Sequence, residues 1–431
     1  MEKVSYRDIL KLKEYRKLIA SNIVNRFGDS VDAIAFTWLV YAVTGSASWS
    51  AIIFALNQLP SVLLQPFAGA LVERMNKKKI MVTADLIRGI VIAAVAYLYM
   101  TSGSVSPWLL AAMTLMISSV EAFSLPAGSA LIPMILDKKY YSHGLSLSAT
   151  ISQAMQLVGM ACAGIIIGFG GIEAAMFVDA ATFFISSIIL TSINVNESND
   201  SLVNNGSLGV AAYFDDLKAG FSYVVARRVI MNFCILAMII NAFFVPINSL
   251  QSPMAVEIFH QGSGLLSAFG IAFIVGMASG SILTPRLMSR FKVRPLVVFF
   301  GIVMGTMYGV ITLGSYTRES IVAAYALCML CTGIMGISAS IISQIFTIQF
   351  MNCVEAQYIA RASSIMNASS SAATPIASAV VSVMAGFLPV AVLFRVSAAV
   401  CIIVFVLMGI AKIRLSNEDA GDNTGKMQDV A

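Results

Sequence analysis

Apolar runs of about 20 residues or more recur along this chain, at roughly 18–43, 49–72, 80–101, 106–128, 145–169, 174–193, 229–255, 264–286, 295–314, 320–348, 361–386 and 389–411. Nothing else in the sequence restricts its fold as strongly. As a helix, each run is long enough to cross roughly 30 Å of hydrocarbon. In lipid, every backbone amide must find its partner within its own segment or in a closed barrel. Runs this uniformly apolar lack the period-two alternation of barrel strands. The expected fold is therefore an all-α membrane protein with twelve transmembrane helices. Only 11% of the 431 residues are charged, against roughly 25% in a soluble domain, so water is not the main solvent.

The formal net charge is +5. The basic residues form short clusters between apolar runs instead of one stripe, which favours membrane orientation over nucleic-acid binding. Counting loops alternately, one set holds Arg74, Lys77 to Lys79, Lys138, Lys139, Lys218, Arg227, Arg228, Arg286, Arg290, Lys292 and Arg294, and the other holds Arg318. The positive-inside bias places the first set in the cytoplasm, and an even helix count puts both termini there as well. The N-terminal cations Lys3, Arg7, Lys11, Lys13, Arg16 and Lys17 are not followed by a short apolar core with a small-residue cleavage site, so no cleavable signal peptide is expected. The expected location is the plasma membrane, as a multi-pass protein of a bacterial inner membrane.

A polar stretch near Asn194 to Arg228 divides the helices six and six. The expected domains are an N-terminal bundle (1–193), a cytoplasmic linker (194–228), a C-terminal bundle (229–412) and a tail (413–431). The glycosylation pattern at Asn196 falls in the cytoplasmic linker and carries no weight. Six cysteines lie in or beside apolar segments, not in a disulfide framework. Cys328 and Cys331 read as small packing residues, with no neighbouring His or Cys to make a metal or redox site. A faint repeat pairs the basic turn at 69–79 with that at 280–290, each opening on a helix-end glycine.

Between the second and third helices stand Gly69, Leu71, Glu73, Arg74 and Lys77 to Lys79. Thr44-Gly45-Ser46 follows the first helix, Asp85 and Arg88 begin the third, and Pro126 and Pro133 flank a small-residue segment. On these residues the chain resembles the major facilitator superfamily and, within it, the macrolide-efflux branch. The second half resembles it through Gln349, Arg361 and Pro375. The resemblance implies two parallel six-helix bundles working by alternating access, with substrate near the midplane. It also implies a gating latch. Gly69 would let the second helix approach the eleventh, Glu73 would face the N-terminal end of that helix near Arg361, and Arg74, Asp85 and Arg88 would form an adjoining charge network. Glu73 and Asn76 replace the family's usual Asp and Gly. Helix five reads Gly159-Met160 where antiporters of the superfamily often have Gly-Pro.

An ionised side chain at mid-bilayer costs roughly 2.5–3.5 kcal/mol on insertion scales, so each one needs a reason. In the first helix Asn22, Asn25, Asp29 and Asp32 fall on one face, while Ile23, Phe27, Val31 and Ile34 cover another. The polar stripe is expected to face a central cavity. Asp29 or Asp32 is expected to exchange a proton; Arg26 is spaced to pair with Asp29, which leaves Asp32 the better carrier. The opposing reading makes Arg26 and both acids one static network. Glu121 in helix four is a further proton or substrate contact, or else part of a buried pair. Asp179 and Arg395 read as structural partners. Gly276, Gly280, Gly301 and Gly305 read as close-packing positions, and His143 and His260 as loop residues. The many Met and Phe side chains suit apolar or amphipathic ligands.

No phosphate-cradling loop and no metalloprotease or hydrolase motif occurs in the sequence. The expectation is therefore not an enzyme but a secondary transporter without cofactor or metal, monomeric, whose partners are protons, lipid and a small-molecule substrate. With the resemblance, this becomes proton-coupled export of a macrolide-like compound. A siderophore exporter, an uptake symporter and a non-transporting receptor remain open.

Overall fold

The computed structural model describes residues 6–64, 67–68, 71–72, 75–137, 140–195, 227–354 and 359–411. Gly69, Glu73 and Arg74 of the expected latch lie outside them, as do most of the expected linker and tail. After a short helical stretch, Tyr6–Lys11, the first bundle holds α1 (Lys13–Thr44), α2 (Ala47–Leu63), α3 (Lys77–Ser102) and α4 (Pro107–Ile135). It closes with the continuous stretch Tyr141–Thr191. That stretch breaks at Gly171, whose φ of 78° and ψ of 178° are not helical; glycine adopts such a conformation without the Cβ penalty. The two arms are α5 (141–170) and α6 (172–191). The second bundle holds α7 (Arg228–Ser249), α8 (Gly264–Met288), α9 (Val293–Ile311), α10 (Ile321–Cys353), α11 (Ile359–Ala385) and α12 (Val390–Ile410). No strand occurs among the described residues.

Local sequence explains the ends. Gly45 takes the left-handed conformation (φ 58°) and closes α1 by donating its N–H to the Tyr41 carbonyl. Ser46 then opens α2 by accepting the Trp49 N–H. Asn76 caps α3 through the Lys79 N–H at 2.7 Å, and Pro107 occupies the first turn of α4. Among the described residues, nine helical stretches are long and apolar enough to cross a membrane. One of these, Thr150–Thr191, contains both α5 and α6. With the charged α1 and the shorter α2, the count is consistent with twelve crossings.

The described residues form two compact units, one within 1–207 and the other within 208–431. In the first unit, α1 packs on α5 and α6, α3 on α6 and α4, and α2 on α4. The second unit repeats that order six helices on: α7 packs on α11, α9 on α12 and α10, and α8 on α10. Gly276 and Gly280 of α8 lie against the α10 backbone, and Gly301 and Gly305 of α9 against Phe405 and Ile402 of α12. Such close approach carries much of the association energy between helices in lipid, where burying apolar surface gains little. Outward-facing apolar side chains such as Ile165, Ile188, Ile282 and Val322 are more than half exposed, the inverse of a soluble surface. The described cysteines are free, and Cys328 and Cys331 are fully buried within α10.

At one end of the first unit, Leu18, Met81, Leu131 and Leu190 form a core joining α1, α3, α4 and α6. Beside it, Lys17 and Lys78 donate to carbonyls at and just past the C-terminal end of α6, Lys17 to Ser192 and Lys78 to Thr191 at 2.6 Å and to Ile193 at 2.8 Å. Cations are favoured at that negative end of a helix. Glu14, which precedes the apolar part of α1, accepts the Asn194 N–H at 2.7 Å and pairs with Lys17 at 3.0 Å. The Asn194 N–H, with help from Lys17, holds the Glu14 carboxyl below the ordinary value of 4.5. Because the folded value is depressed, this contribution is present above about 4.5 and is lost as the pH falls through the folded value. Amide exchange at Asn194 should therefore be slow at neutral pH in the wild type and fast in Glu14→Gln, with the difference vanishing in acid. Equal protection of the two proteins at neutral pH would contradict this clamp.

Candidate functional site

The α1 stripe is turned toward helices of its own bundle. Asn22 donates to Ser148 of α5 at 3.4 Å, and Asn25 donates to both Asp85 oxygens at 3.3 and 3.4 Å. Ser186 of α6 donates to Asp85 at 2.6 Å and lies 2.7 Å from Ser21, so Asp85 is buried but well supplied with hydrogen bonds. Asp29 receives Arg88 Nη2 at 2.9 Å, while Arg26 stands at 3.6 Å with nearly half its side chain exposed. The main partner of Asp29 is therefore Arg88, two helices away, and the neighbour on its own helix is secondary. Asp85 and Arg88, expected beside the latch, find their described partners here, on α1 and α6. Arg361 lies in α11, and its side chain is outside the described set.

Arg88 is the hub. Its guanidinium sits 4.1 Å from the centroid of the Phe183 ring, a cation–π contact. The carboxylates of Asp29, Glu121, Asp179 and Asp85 all act on it electrostatically. In a low-dielectric interior these attractions offset the several kcal/mol that removing an ion from water would otherwise cost. Glu121 of α4 is half-buried within this field.

Asp32 differs from Asp29. Its Oδ1 is buried and has no hydrogen-bond partner among the described residues. It borders a small cavity of about 40 Å³ that is also lined by Asn57, Ile92, Met113, Thr114 and Met176. A water molecule needs roughly 10–15 Å³ of such space, whereas drug-sized sites run to roughly 300–1,000 Å³. The cavity therefore suits water or a proton, not a drug.

Asp179, read from sequence as a structural partner, is fully buried on α6. Asp179, Thr182 and Ser186 form an i, i+3, i+7 stripe that turns toward α1 and α3, the same signal that marks α1. Gly28 makes the approach possible, because a Cβ there would overlap Thr182 Oγ1 and lie 2.6 Å from Asp179 Oδ1. Arg395 of α12 is exposed, and its Nε donates to the Ala391 carbonyl of its own helix. His260 is exposed at a positive φ of 54° in the second unit. Among the described residues, no group of three His, Cys, Asp or Glu is arranged to hold a metal ion.

The Major Facilitator Superfamily profile matches residues 18–356. Macrolide efflux protein A from Streptococcus pyogenes is 24% identical over 372 residues, covering 85% of this chain and 87% of its own. Macrolide efflux protein A from Enterococcus faecalis is 24% identical over 327 residues, covering 74% of this chain and 96% of its own. The crystal structure of the nucleoside transporter NupG superposes with a TM-score of 0.71 at 13% identity, over 93% of this chain and 98% of that one. At that identity, the superposition establishes a shared fold.

The two arginines near Asp29 should separate in experiment. Arg88→Gln leaves several acids with no buried cation and should destabilise the detergent-solubilised protein by on the order of 3 kcal/mol. Arg26→Gln should cost less than about 1 kcal/mol, as exposed pairs do. Equal losses in thermal unfolding would refute the assignment of Arg88 as the hub.

Proposed function

The chain belongs to the Major Facilitator Superfamily, and from that premise we propose that this membrane transporter exports a hydrophobic or amphipathic, macrolide-like molecule in exchange for protons. The observation that carries the reading is Asp32, a carboxyl group in the first crossing with an unpartnered oxygen beside a water-sized cavity. The neighbouring Asp29 is already paired with Arg88. An uncompensated carboxylate inside a membrane protein is costly. A proton taken up through the cavity relieves that cost, while substrate bound elsewhere in the transport path favours the ionised form, so the two compete. Such competition couples the flows: substrate binding expels the proton, and proton return expels the substrate.

In this reading Asp32 carries the exchanged proton, Asp29 and Arg88 set the local charge, and Glu121 tunes Arg88 from α4. The latch role stays with Gly69, Glu73, Arg74 and Arg361, while Asp85 and Arg88 serve the carboxylate network. The cavity is the proton's port, because it is too small to seat a drug. Macrolide-like cargo is supported by the two macrolide efflux relatives and by the supply of Met and Phe surface. We further assign the protein to a bacterial inner membrane as a monomer with both termini cytoplasmic, on the strength of the positive-inside asymmetry.

The test is flux of radiolabelled erythromycin in proteoliposomes holding a pH gradient. Wild type should move the drug uphill while protons run the other way, and movement in the same direction would indicate symport. Asp32→Asn should abolish uphill movement, at least tenfold, and leave drug binding largely intact. Unimpaired uphill transport in that variant would remove Asp32 from the coupling role.

A further inference from the structure

Asp179 presents a problem that the mechanism above leaves unsolved. The side chain is fully buried, and its Oδ2 has no hydrogen-bond partner among the described residues. Its Oδ1 lies 3.4 Å from Thr182 Oγ1, but that hydroxyl has a single proton, and its 2.7 Å bond goes to the Asp179 main-chain carbonyl. The carboxyl group therefore has almost no donor of its own. Glycine at position 28 lets it press against α1, and Asp32 lies one helical turn beyond Gly28. The charge of Asp32 acts directly on Asp179.

Counting partners shows which acids are satisfied. Asp29 on α1 has Arg88, and Asp85 on α3 has Asn25 and Ser186. Glu121 on α4 is half-buried, and Arg26 is too exposed to serve the interior. Asp32 and Asp179 are left, each with a buried oxygen that meets no donor among the described residues. Two neighbouring carboxylates in a dry site cannot both stay ionised without a cation. Arg88, the buried cation beside them, already commits Nη2 to Asp29, but its Nε is buried and has no partner among the described residues.

We infer that Asp32 and Asp179 form a carboxyl pair that shares one exchangeable proton, making Asp179 a further proton-holding residue of the transport reaction. This rests on the proton-coupled reading for its role in transport, but not for the existence of the pair. On release, the proton leaves a carboxyl oxygen for water in the cavity beside Asp32. The added negative charge of the pair then turns toward Arg88, whose Nε becomes its donor. On return the proton takes the reverse path, and Arg88 goes back to Asp29 alone.

Infrared difference spectroscopy of the full-length protein in lipid, between acid and alkaline buffer, tests the pair without any substrate. The wild type should show one protonated-carboxyl band, and Asp179→Asn and Asp32→Asn should each move its frequency and the pH at which it appears, because the proton is then held by one carboxyl instead of shared between two. An unchanged band in Asp179→Asn overturns the pair, and so does a band that each variant merely halves. Asparagine is close in shape to a neutral aspartic acid, so Asp179→Asn should keep the wild-type melting temperature near neutral pH. Collapse of that variant would mean that Asp179 is an ionised structural partner of Arg88, which also overturns the proposal. In erythromycin flux, Asp179→Asn should flatten the pH dependence. If the wild type moves no erythromycin while the band still depends on Asp179, the pair stands and the export reading fails.

Discussion

The contact between Arg88 of α3 and Asp29 of α1 is the interaction on which the rest of the first bundle depends. Neither group could be charged alone in hydrocarbon, and at 2.9 Å each makes the other tolerable. Their pairing bridges two helices that each pack on α6, and the Phe183 ring of that helix lies against the guanidinium. The remaining acids are then sorted by what is left for them. Asp85 is satisfied by amide and hydroxyl donors, whereas Asp32 and Asp179 are not. A structural ion pair thus leaves an uncompensated carboxyl beside a cavity, the physical requirement for a group that gains and loses a proton during work.

The second unit shows what a bundle of the same pairing order looks like without that chemistry. Its helices meet through glycines on backbone and rings, and through contacts such as Tyr308 donating to the Phe243 carbonyl and Asn241 to Ser370. Ionisable groups are sparse in its described spans, and Arg395 is turned outward. Two units with one packing order and different polar content suit a division of labour in which the first carries the coupling chemistry.

Most of the architecture could be read from the sequence, because a membrane segment must be long, apolar and internally hydrogen-bonded. The turn at Thr44-Gly45-Ser46 and the break at Gly171 follow from residues with one strong local preference. The stripe on α1 was visible because four polar residues interrupt an apolar run with helical spacing. The matching stripe on α6, Asp179, Thr182 and Ser186, is harder to see, because its smaller hydroxyls look like ordinary helix residues beside Phe and Ile. The choice of Arg88 over Arg26 for Asp29 cannot be seen locally, since it depends on how α1 and α3 each pack on α6. Helix ends that run past the apolar core also escaped hydropathy, as in the start of α1 at Lys13 and the π-helical turn Met254–Ile258 after α7.

In the proposed exchange, substrate and proton compete for the carboxyl chemistry of α1. This competition is tested most directly by measuring proton release when erythromycin is added to the purified, full-length protein in unbuffered detergent solution. The account predicts net release of protons from the wild type and none from Asp32→Asn, with drug bound in both cases. Binding without proton release by the wild type would contradict it.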